Sequence, residues 1–233
     1  MSPRVALISG ASRGIGAAVA ERLVQDGWAV SLGMRSPATP AWADGQDERL
    51  HLQAYDATAA GSEETWARAT LARFGRIDAV VANAGIMIPK SVIEAEDQDL
   101  RDLMEVNVLA PRRLAKAAWE SLAAGGQGRV IVLASLSGKR VKSPRSGSYS
   151  LSKFAAVALA HALRHEGFEQ GIRATAICPG FVATDMAAGL TNRPADHLTD
   201  PRDLARIISM ILDLPNEASV AEFAVNCQLE ESF

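Results

Sequence analysis

The chain has 233 residues, of which 48% are hydrophobic and 22% charged, and its formal net charge is −3. This is an ordinary globular composition for a protein of α/β size, and the small acidic charge gives no electrostatic reason to expect nucleic acid or a membrane as partner. The two cysteines make a disulfide framework improbable, and no apolar run approaches the roughly 20 residues that span a bilayer. Because an apolar strand begins at Arg4, we expect no signal peptide and a cytoplasmic protein.

Apolar, β-branched segments alternate with longer helical patterns along the whole chain. Strands are predicted at Arg4–Ser9, Ala29–Gly33, Arg49–Ala54, Ile77–Ala82, Gly128–Ala134, Arg173–Cys178 and Val220–Asn226, and helices at Gly14–Asp26, Ser62–Phe74, Asp97–Leu122, Ser148–Glu169 and Pro201–Leu212. Such alternation indicates a parallel sheet covered on both faces. We therefore predict an α/β fold with a doubly wound, seven-stranded parallel sheet in one domain, 1–233. Two stretches look irregular, Ser36–Glu48 and Ala183–Thr199; the second, 183–199, could be a substrate lid or an ordinary surface loop.

The turn after the first strand is rich in glycine. The run Ser9-Gly10-Ala11-Ser12-Arg13-Gly14-Ile15-Gly16 leads directly into a helix. Glycines at such a turn let backbone N–H groups approach a phosphate closely, and the helix N-terminus adds positive potential. The spacing G-x-x-x-G-x-G differs from the commonest dinucleotide fingerprint, G-x-G-x-x-G. Three glycines within one short turn nevertheless favour a nucleotide site over a plain tight turn.

The same turn also fits a second pattern. Its central five residues match G-x-S-x-G, the nucleophile elbow of α/β-hydrolases, in the expected position between a strand and a helix. In this alternative Ser12 would be an acyl nucleophile that needs a histidine farther along the chain. Three of the four histidines lie within predicted strands or helices, which leaves only His197 in a loop. An elbow on the first strand also lacks a preceding strand and loop for the second oxyanion donor, so the hydrolase is disfavoured.

A second group of chemically useful residues opens the helix predicted from Ser148. Tyr149 and Lys153 are four residues apart, so they share one face of that helix. A free tyrosine has a pKa of about 10, and a cation within about 4–6 Å lowers it toward the range useful for general acid–base catalysis. The pair is therefore a candidate proton-transfer device, although Tyr-x-x-x-Lys alone is usually a surface pair.

Five more short motifs accompany the glycine turn and the tyrosine–lysine pair. They are Asp56 after the third strand, Asn83-Ala84-Gly85 after the fourth, Asn107 in the long helix, Ser135-Leu136-Ser137-Gly138 after the fifth strand, and Pro179-Gly180 after the sixth. In this order the motifs resemble, over nearly the whole chain, those of the short-chain dehydrogenases/reductases, oxidoreductases with a Rossmann fold. Each motif alone is weak evidence, and their combination is specific.

The resemblance implies a catalytic set of four residues. Ser135 would hydrogen-bond the substrate oxygen, and Tyr149 would exchange a proton with it. Lys153 would lower the tyrosine pKa and hold the nicotinamide ribose, while Asn107 would hold a water that links the lysine to solvent. No metal ligand is implied. By the resemblance, the Asp56 carboxylate would meet the adenine. The implied cofactor contacts are Gly10, Ser12, Arg13, Gly14, Ile15, Gly16, Arg35, Asp56, Ala57, Asn83, Ala84, Gly85, Tyr149, Lys153, Pro179, Gly180, Val182 and Thr184.

The sequence departs from the family pattern at two places. Tyr149 lies fourteen positions after Ser135, one more than is usual in the family. Ser137 is therefore a rival for the serine role. Gly138, three residues after Ser135, favours the earlier serine. After the last strand the chain has Val225-Asn226-Cys227-Gln228 where the family often has Asp-Gly-Gly, in a region that often helps to build the substrate pocket or a subunit contact.

The end of the second strand bears on the choice between NAD and NADP. An acidic residue there would bind the adenosine ribose hydroxyls and repel a 2′-phosphate. Instead, by the resemblance to the family, Met34 occupies the position at which relatives that prefer NAD carry Asp. Arg35 and Arg13 could pair with a 2′-phosphate. We therefore predict NADP(H) as the cofactor ahead of NAD(H).

The substrate and the partners are less legible. Basic residues between the catalytic serine and tyrosine could attract an acidic substrate, although a solvated loop is the more common explanation. These residues are Lys139, Arg140, Lys142 and Arg145. His161 and His165 could ligate a metal, but no third ligand is apparent. By the resemblance, the helices at 97–122 and 148–169 would pair with their copies in a homodimer or homotetramer.

Together these observations predict an NADP(H)-dependent oxidoreductase that transfers hydride between the nicotinamide and a small carbonyl or secondary-alcohol substrate. A dinucleotide-binding sensor or scaffold without turnover is the second possibility, because a fold alone does not decide function. Loss of Tyr149 or Lys153 would have favoured the sensor, and both residues are present.

Overall fold

The strand order explains how the sheet is wound. The computed structural model describes residues 2–229, except for the side chain of Asp47. The strands are β1 (Val5–Ser9), β2 (Ala29–Met34), β3 (Leu50–Ala54), β4 (Ala79–Ala82), β5 (Arg129–Leu133), β6 (Arg173–Pro179) and β7 (Glu222–Val225). They lie in the order β3-β2-β1-β4-β5-β6-β7, and every neighbouring pair is parallel. The chain fills one side of the sheet as far as β3 and then the other as far as β7, which confirms the predicted doubly wound fold.

Helices cover both faces of the sheet. They are α1 (Gly14–Gln25), α2 (Ser62–Phe74), α3 (Asp97–Met104), α4 (Ala110–Ala124), α5 (Gly147–Gly167), α6 (Asp185–Ala188) and α7 (Pro201–Asp213). Leu7 belongs to the core beneath α2, α4 and α5, whereas its neighbours Ala6 and Ile8 belong to the core beneath α1 and α7. Because side chains on both faces are buried, the strands have nearly continuous apolar sequences.

The long helix predicted over Asp97–Leu122 is interrupted. A π-helical segment, Glu105–Leu109, separates α3 from α4. Pro111 follows in the first turn of α4, and proline has no N–H group to donate to the carbonyl four residues before it. That carbonyl belongs to Asn107, so a regular α-helical hydrogen bond cannot form there. The prediction of one continuous helix is wrong for this reason.

Residues 183–199 leave the carboxyl edge of β6 and return to it. The segment contains α6 and a single 3₁₀ turn, Ala195–His197. Val182 and Thr199 form a parallel bridge at its base, where the Ala183 N–H donates to the Thr199 carbonyl at 2.9 Å. The segment is therefore anchored at both ends to the edge of the sheet where β-strands deliver the candidate site residues.

Two other predicted stretches differ in detail. The last strand has four residues instead of the predicted Val220–Asn226, which is typical of a short strand at a sheet edge. The irregular stretch Ser36–Glu48 overlaps two single 3₁₀ turns, Ala41–Ala43 and Asp47–Arg49. Across residues 2–229, no helix combines the length and the apolar composition needed to cross a lipid bilayer.

Candidate active site

Ser9 fastens the glycine turn after β1 to the turn after β4. Its hydroxyl accepts hydrogen bonds from the backbone N–H groups of Asn83 and Ala84, both at 3.0 Å. The Asn83 side chain donates in return, from Nδ2 to the carbonyls of Ser9 and Gly10 at 3.0 and 3.1 Å. These four hydrogen bonds hold the two turns side by side at the carboxyl edge of the sheet.

Glycine lets this turn and α1 pack more closely than any side chain would allow. A Cβ atom on Gly16 would lie 2.4 Å from the Gly10 carbonyl oxygen, and one on Gly10, where φ is +66°, would lie 2.9 Å from Asn83 Nδ2. A Cβ atom on Gly14 would lie 3.1 Å from Thr184 Cγ2. The N-cap residue of α1 makes no side-chain cap, so the first N–H groups of the helix can serve an anion. These residues fit the diphosphate of a dinucleotide.

The end of β2 lies next to the glycine turn. The Gly10 N–H donates to the Gly33 carbonyl at 3.0 Å, and Trp66 packs beneath Gly33 so closely that a Cβ atom there would lie 2.5 Å from the indole ring. Met34 is buried, whereas Arg35 is exposed. An exposed cation therefore follows the strand at the position where an adenosine ribose is expected.

Two of the predicted cofactor residues are already engaged in contacts. Asp56 Oδ1 accepts hydrogen bonds from the N–H and the hydroxyl of Thr58 at 2.9 and 2.8 Å. These bonds, helped by the charge of Arg35, hold the pKa of the Asp56 carboxyl below its usual value. Arg13 pairs with Asp185 of α6 at 2.6 Å, and both side chains are 71% exposed. This ion pair joins the glycine turn to segment 183–199.

Tyr149 and Lys153 lie on one face of α5 beside the end of β5. The Lys153 Nζ is 5.6 Å from the centroid of the Tyr149 ring and donates to the Leu133 carbonyl at 2.6 Å. The Ser135 side chain lies close enough to the Tyr149 hydroxyl to influence its pKa. The N–H of the rival serine, Ser137, donates to Ser135 Oγ at 3.1 Å. Of the two serines, it is Ser135 that meets the tyrosine.

Burial controls the ionisation of this pair. It raises the pKa of Tyr149 to about 12, although the nearby Ser135 side chain acts in the opposite direction. It also lowers the pKa of Lys153 to about 8, and that residue is only 5% exposed. The expectation of a lowered tyrosine pKa is therefore wrong. Loss of water outweighs the attraction of an ammonium group that is itself destabilised by burial.

Asn107 holds the π-helical segment against two neighbouring elements. Its Oδ1 accepts from the Ile86 N–H at 2.9 Å, and its Nδ2 donates to the Ile86 carbonyl at 3.0 Å. The same Nδ2 donates to Ser152 Oγ, also at 3.0 Å. A Cβ atom on Gly85 would lie 3.1 Å from Asn107 Oδ1, so a side chain at this position of the turn after β4 would crowd the amide.

The turn after β6 closes the site from the other side. Ser135 Oγ donates to the Pro179 carbonyl at 3.4 Å. The Gly180 N–H donates to the Val225 carbonyl at 2.7 Å, which ties the turn to β7. Thr184, a few residues later, reaches the glycine turn. The Pro-Gly motif thus connects the serine, the last strand and the glycine turn.

Comparison with known protein families identifies the family of this chain. The family model described as short chain dehydrogenase matches residues 4–195, which is most of the chain. The chain belongs to the short-chain dehydrogenase family. It is therefore a member of a family of oxidoreductases that use NAD(P)(H).

Individual relatives of this short-chain dehydrogenase differ in length. Agropine synthesis reductase from Rhizobium rhizogenes is 37% identical over 228 residues, a match that covers 97% of this chain and 53% of the relative. The chain thus spans about half the length of that relative. Oxidoreductase UcpA from Escherichia coli is 30% identical, with 100% of this chain and 90% of the relative covered. An X-ray structure of an alcohol dehydrogenase from Thermococcus sibiricus, complexed with 5-hydroxy-NADP, is 31% identical with a TM-score of 0.87. That match covers 99% of this chain and 100% of the alcohol dehydrogenase chain.

Two of the four histidines of this short-chain dehydrogenase, His51 and His161, are hydrogen-bonded to residues other than Ser12. His51 Nδ1 is hydrogen-bonded to Ser31 Oγ at 2.8 Å, and His161 Nε2 to Glu222 Oε1 at 2.7 Å. Ser12 itself is exposed. Within residues 2–229, His, Cys, Asp and Glu side chains form no cluster of three or more that could hold a metal ion. Neither the serine hydrolase nor a metal site on α5 gains support from these contacts.

Sequence reasoning missed two hydroxyl groups of the dehydrogenase site. Ser9 begins the glycine-rich run, but the two hydrogen bonds that its hydroxyl accepts from the turn after β4 were not anticipated. Ser152 lies three residues after Tyr149 and donates to the Tyr149 carbonyl at 2.8 Å; a polar residue on the buried face of an apolar helix was the available signal. Of the remaining predicted cofactor contacts, Ile15 is half-buried, and Ala57 and Val182 are buried.

Proposed function

We propose that this protein is an NADP(H)-dependent oxidoreductase that transfers hydride between the nicotinamide and a carbonyl or secondary-alcohol carbon, with Tyr149 as general acid and base. The observation that carries the proposal is the meeting of Ser135, Tyr149 and Lys153 at the edge of the sheet that also carries the glycine turn. Asn107 completes the group, since its side chain is hydrogen-bonded to Ser152, which lies on α5 together with Tyr149 and Lys153.

The two hydroxyls suit recognition of one substrate oxygen. The bound cofactor would supply or accept the hydride. The side chains of Ser135 and Tyr149 lie close to each other, so a substrate oxygen between their hydroxyls could accept from both. A phenol whose pKa is raised to about 12 carries its proton at neutral pH, so it has a proton to donate to a carbonyl oxygen during reduction, as a weaker acid than a free tyrosine.

Lys153 and Asn107 suit the return of the proton. The pKa of Lys153 is lowered to about 8 by burial, so the amine can give and take a proton near neutral pH. Because Pro111 cannot donate to the Asn107 carbonyl, that oxygen is available to hold a water. We propose that this water links the lysine to solvent.

The end of β2 supports NADP(H) ahead of NAD(H). Met34 is buried, and no acidic side chain follows it that would repel a 2′-phosphate. Arg35 is exposed at this end, and Arg13 projects from the glycine turn to an exposed partner. The Thermococcus sibiricus relative was crystallised with an NADP derivative. We propose that both arginines contact the 2′-phosphate.

The decisive experiment compares wild type with Tyr149→Phe. NADPH and NADH are titrated separately by fluorescence, and turnover is followed at the absorbance of the reduced cofactor over ketones, aldehydes and quinones. We expect tighter binding of NADPH in both proteins and a fall in kcat of at least about a hundredfold in the variant, because a general acid contributes roughly that factor. Unchanged turnover in the variant would remove Tyr149 from the mechanism.

Two other outcomes of that experiment would redirect the proposal. Binding without turnover on any carbonyl or alcohol would favour the dinucleotide sensor. Tighter binding of NADH than of NADPH would contradict the predicted cofactor preference and leave the proposed reaction standing. In that case Arg35→Ala should leave the affinity for NADPH unchanged. Arg112, an exposed arginine far along the sequence on α4, supplies the matched control for removal of a surface charge.

We extend the proposal to the organisation of the protein. It would act as one domain, 1–233, with segment 183–199 as a lid, in a cytoplasmic homodimer or homotetramer with a small-molecule substrate. In the basic stretch after β5, Lys139 pairs with Glu222, and Lys142 with Gln228 at 3.2 Å. These contacts favour a folded loop over a free anion-binding surface.

A further inference from the structure

Arg113 is in contact with three separate elements of the structure. It lies on α4, and its side chain is 23% exposed. Its Nη2 donates to the Ala57 carbonyl at 2.7 Å, and its Nη1 pairs with Glu105 Oε1 at 2.7 Å. Its Nε is 3.2 Å from Glu63 Oε1, an ion pair without the geometry of a hydrogen bond. One guanidinium thus joins the turn after β3, the π-helical segment and α2.

Glu63 makes this arrangement costly to disturb. Its side chain is fully buried in the first turn of α2, where the helix dipole favours a negative charge. The Tyr55 hydroxyl donates to its carboxylate at 3.3 Å, whereas the Ser62 hydroxyl donates to the Asp56 carbonyl at 2.7 Å. Burial and the Glu63 charge raise the pKa of Tyr55, so this phenol remains a donor. A buried carboxylate needs a cation close by, and Arg113 supplies it.

The two other contacts of Arg113 lead to opposite ends of the proposed cofactor site. Ala57 follows Asp56 in the turn predicted to meet the adenine. Glu105 begins the π-helical segment that carries Asn107. Arginine can hold both because its planar fork presents several donors in fixed directions, which a lysine ammonium on a flexible stem cannot reproduce.

We propose that Arg113 is a positioning residue that sets the adenine-side turn and the Asn107 segment relative to each other. This role rests on the proposed function, since the turn and the asparagine matter together only if a dinucleotide spans them. The contacts themselves lie within the protein and can be tested without cofactor. The same side chain then influences both cofactor affinity and turnover.

The test begins with amide hydrogen exchange on the ligand-free protein. Arg113→Lys keeps a positive charge near Glu63 but loses the fork, and Arg113→Met with Glu63→Gln removes the buried charge together with its partner. We expect amides of residues 56–60 and 105–109 to exchange about tenfold faster in both proteins, as for the loss of one or two hydrogen bonds. Glu105→Gln should affect only 105–109. Arg112→Met, which removes the exposed neighbouring arginine, should change neither segment.

Binding and kinetics supply the second measurement. Adenosine 2′,5′-bisphosphate serves as the probe of the adenine end, and its Kd should rise about fivefold or more in Arg113→Lys but remain at the wild-type value in Glu105→Gln. Arg113→Lys should raise KM for NADPH and lower kcat, whereas Glu105→Gln should lower kcat alone. This split would not arise from a general loss of stability.

The outcomes separate this proposal from the proposed function. Wild-type exchange rates in either segment of Arg113→Lys would overturn the positioning role, as would a uniform increase that included β1 and β5, since that would indicate only global destabilisation. Wild type that neither binds nor turns over NADPH or NADH would defeat the proposed function, while the exchange result would still decide whether Arg113 orders the two segments.

Discussion

At the scale of single residues, Ser152 connects the parts of the proposed proton path. It accepts a hydrogen bond from Asn107 and donates one to the Tyr149 carbonyl, so it joins the π-helical segment to the turn of α5 that carries the tyrosine and the lysine. Ser150, two residues earlier on the same helix, is equally buried but has no partner for its hydroxyl. Both serines are buried on α5, and of the two hydroxyls only that of Ser152 is hydrogen-bonded.

This difference supplies a controlled prediction. Ser152→Ala should lower kcat by roughly fivefold, because a lost hydrogen bond of about 1 kcal/mol at an aligning position corresponds to that factor. Ser150→Ala should leave kcat within about twofold, since no hydrogen bond is removed. Steady-state kinetics over a range of pH would measure both. Equal losses in the two variants would mean that Ser152 only fills space.

Lys153 gives stability a pH dependence of known sign. Its pKa is about 8 in the folded protein and 10.5 as the ordinary value, so the folded state releases this proton first as pH rises. The free energy of unfolding should therefore increase between pH 8 and 10.5, by up to about 3 kcal/mol from this group. Cys178, whose pKa is raised to about 11 by burial, acts in the opposite direction above pH 9.

Urea unfolding of wild type and Lys153→Met at several pH values between 7.5 and 10 isolates the lysine. Cys178 and Tyr149 contribute to both proteins, so the difference between their stabilities should change with pH in favour of wild type. If the difference in stability stays constant with pH, the pKa of Lys153 is not lowered in the folded protein.

At the scale of elements, Pro111 determines the shape of the helix that carries Asn107. It lies in the first turn of α4, four residues after the asparagine, and supplies no N–H for the Asn107 carbonyl. The neighbouring Ala110 N–H bonds to the Glu105 carbonyl, five residues back. The break between α3 and α4 therefore coincides with the residue whose carbonyl is proposed to hold a water.

Replacing this proline should raise stability and lower activity together. Pro111→Ala provides the missing N–H, so the helix can become regular, and the free energy of unfolding should rise by about 1 kcal/mol or more. The Asn107 carbonyl would then accept the new bond, and kcat should fall roughly tenfold. Urea unfolding and steady-state kinetics measure the two effects, with Arg112→Ala as control. Higher stability with unchanged kcat would separate the helix break from catalysis.

At the scale of the whole molecule, α5 presents an apolar stripe to solvent. Leu151 is 54% and Phe154 43% exposed, and Leu109 beside α4 is 42% exposed. Exposed apolar residues grouped on one surface often mark an interface between subunits. By the family resemblance, the two long helices would pair with copies of themselves, and this pairing stays a prediction.

Charge on this stripe should dissociate the proposed oligomer. Leu151→Glu combined with Phe154→Glu is expected to convert a dimer or tetramer into monomer, because each carboxylate would be buried unpaired in the contact. Leu71→Glu on α2, also at an exposed leucine, is the matched control and should leave the assembly unchanged. Sedimentation velocity measures all three proteins, and a wild type that is already monomeric at micromolar concentration would contradict the prediction.

The sequence by itself determined the fold class and most of the elements. Period and composition are local properties, so alternating apolar strands and amphipathic helices were readable without knowledge of contacts. The glycine turn was equally legible because its φ angles and close approaches require glycine wherever they occur. Tyr149 and Lys153 share a face through helical geometry alone.

Only the tertiary structure decided how the site is connected and charged. Asn107 meets Ser152 across 45 residues, and Arg113 meets Ala57 across 56; no local pattern encodes such pairings. The direction of the Tyr149 pKa was wrong in the sequence analysis because burial depends on every element packed around the phenol. Local periodicity specifies elements, whereas desolvation and hydrogen-bond partners arise when distant elements pack together.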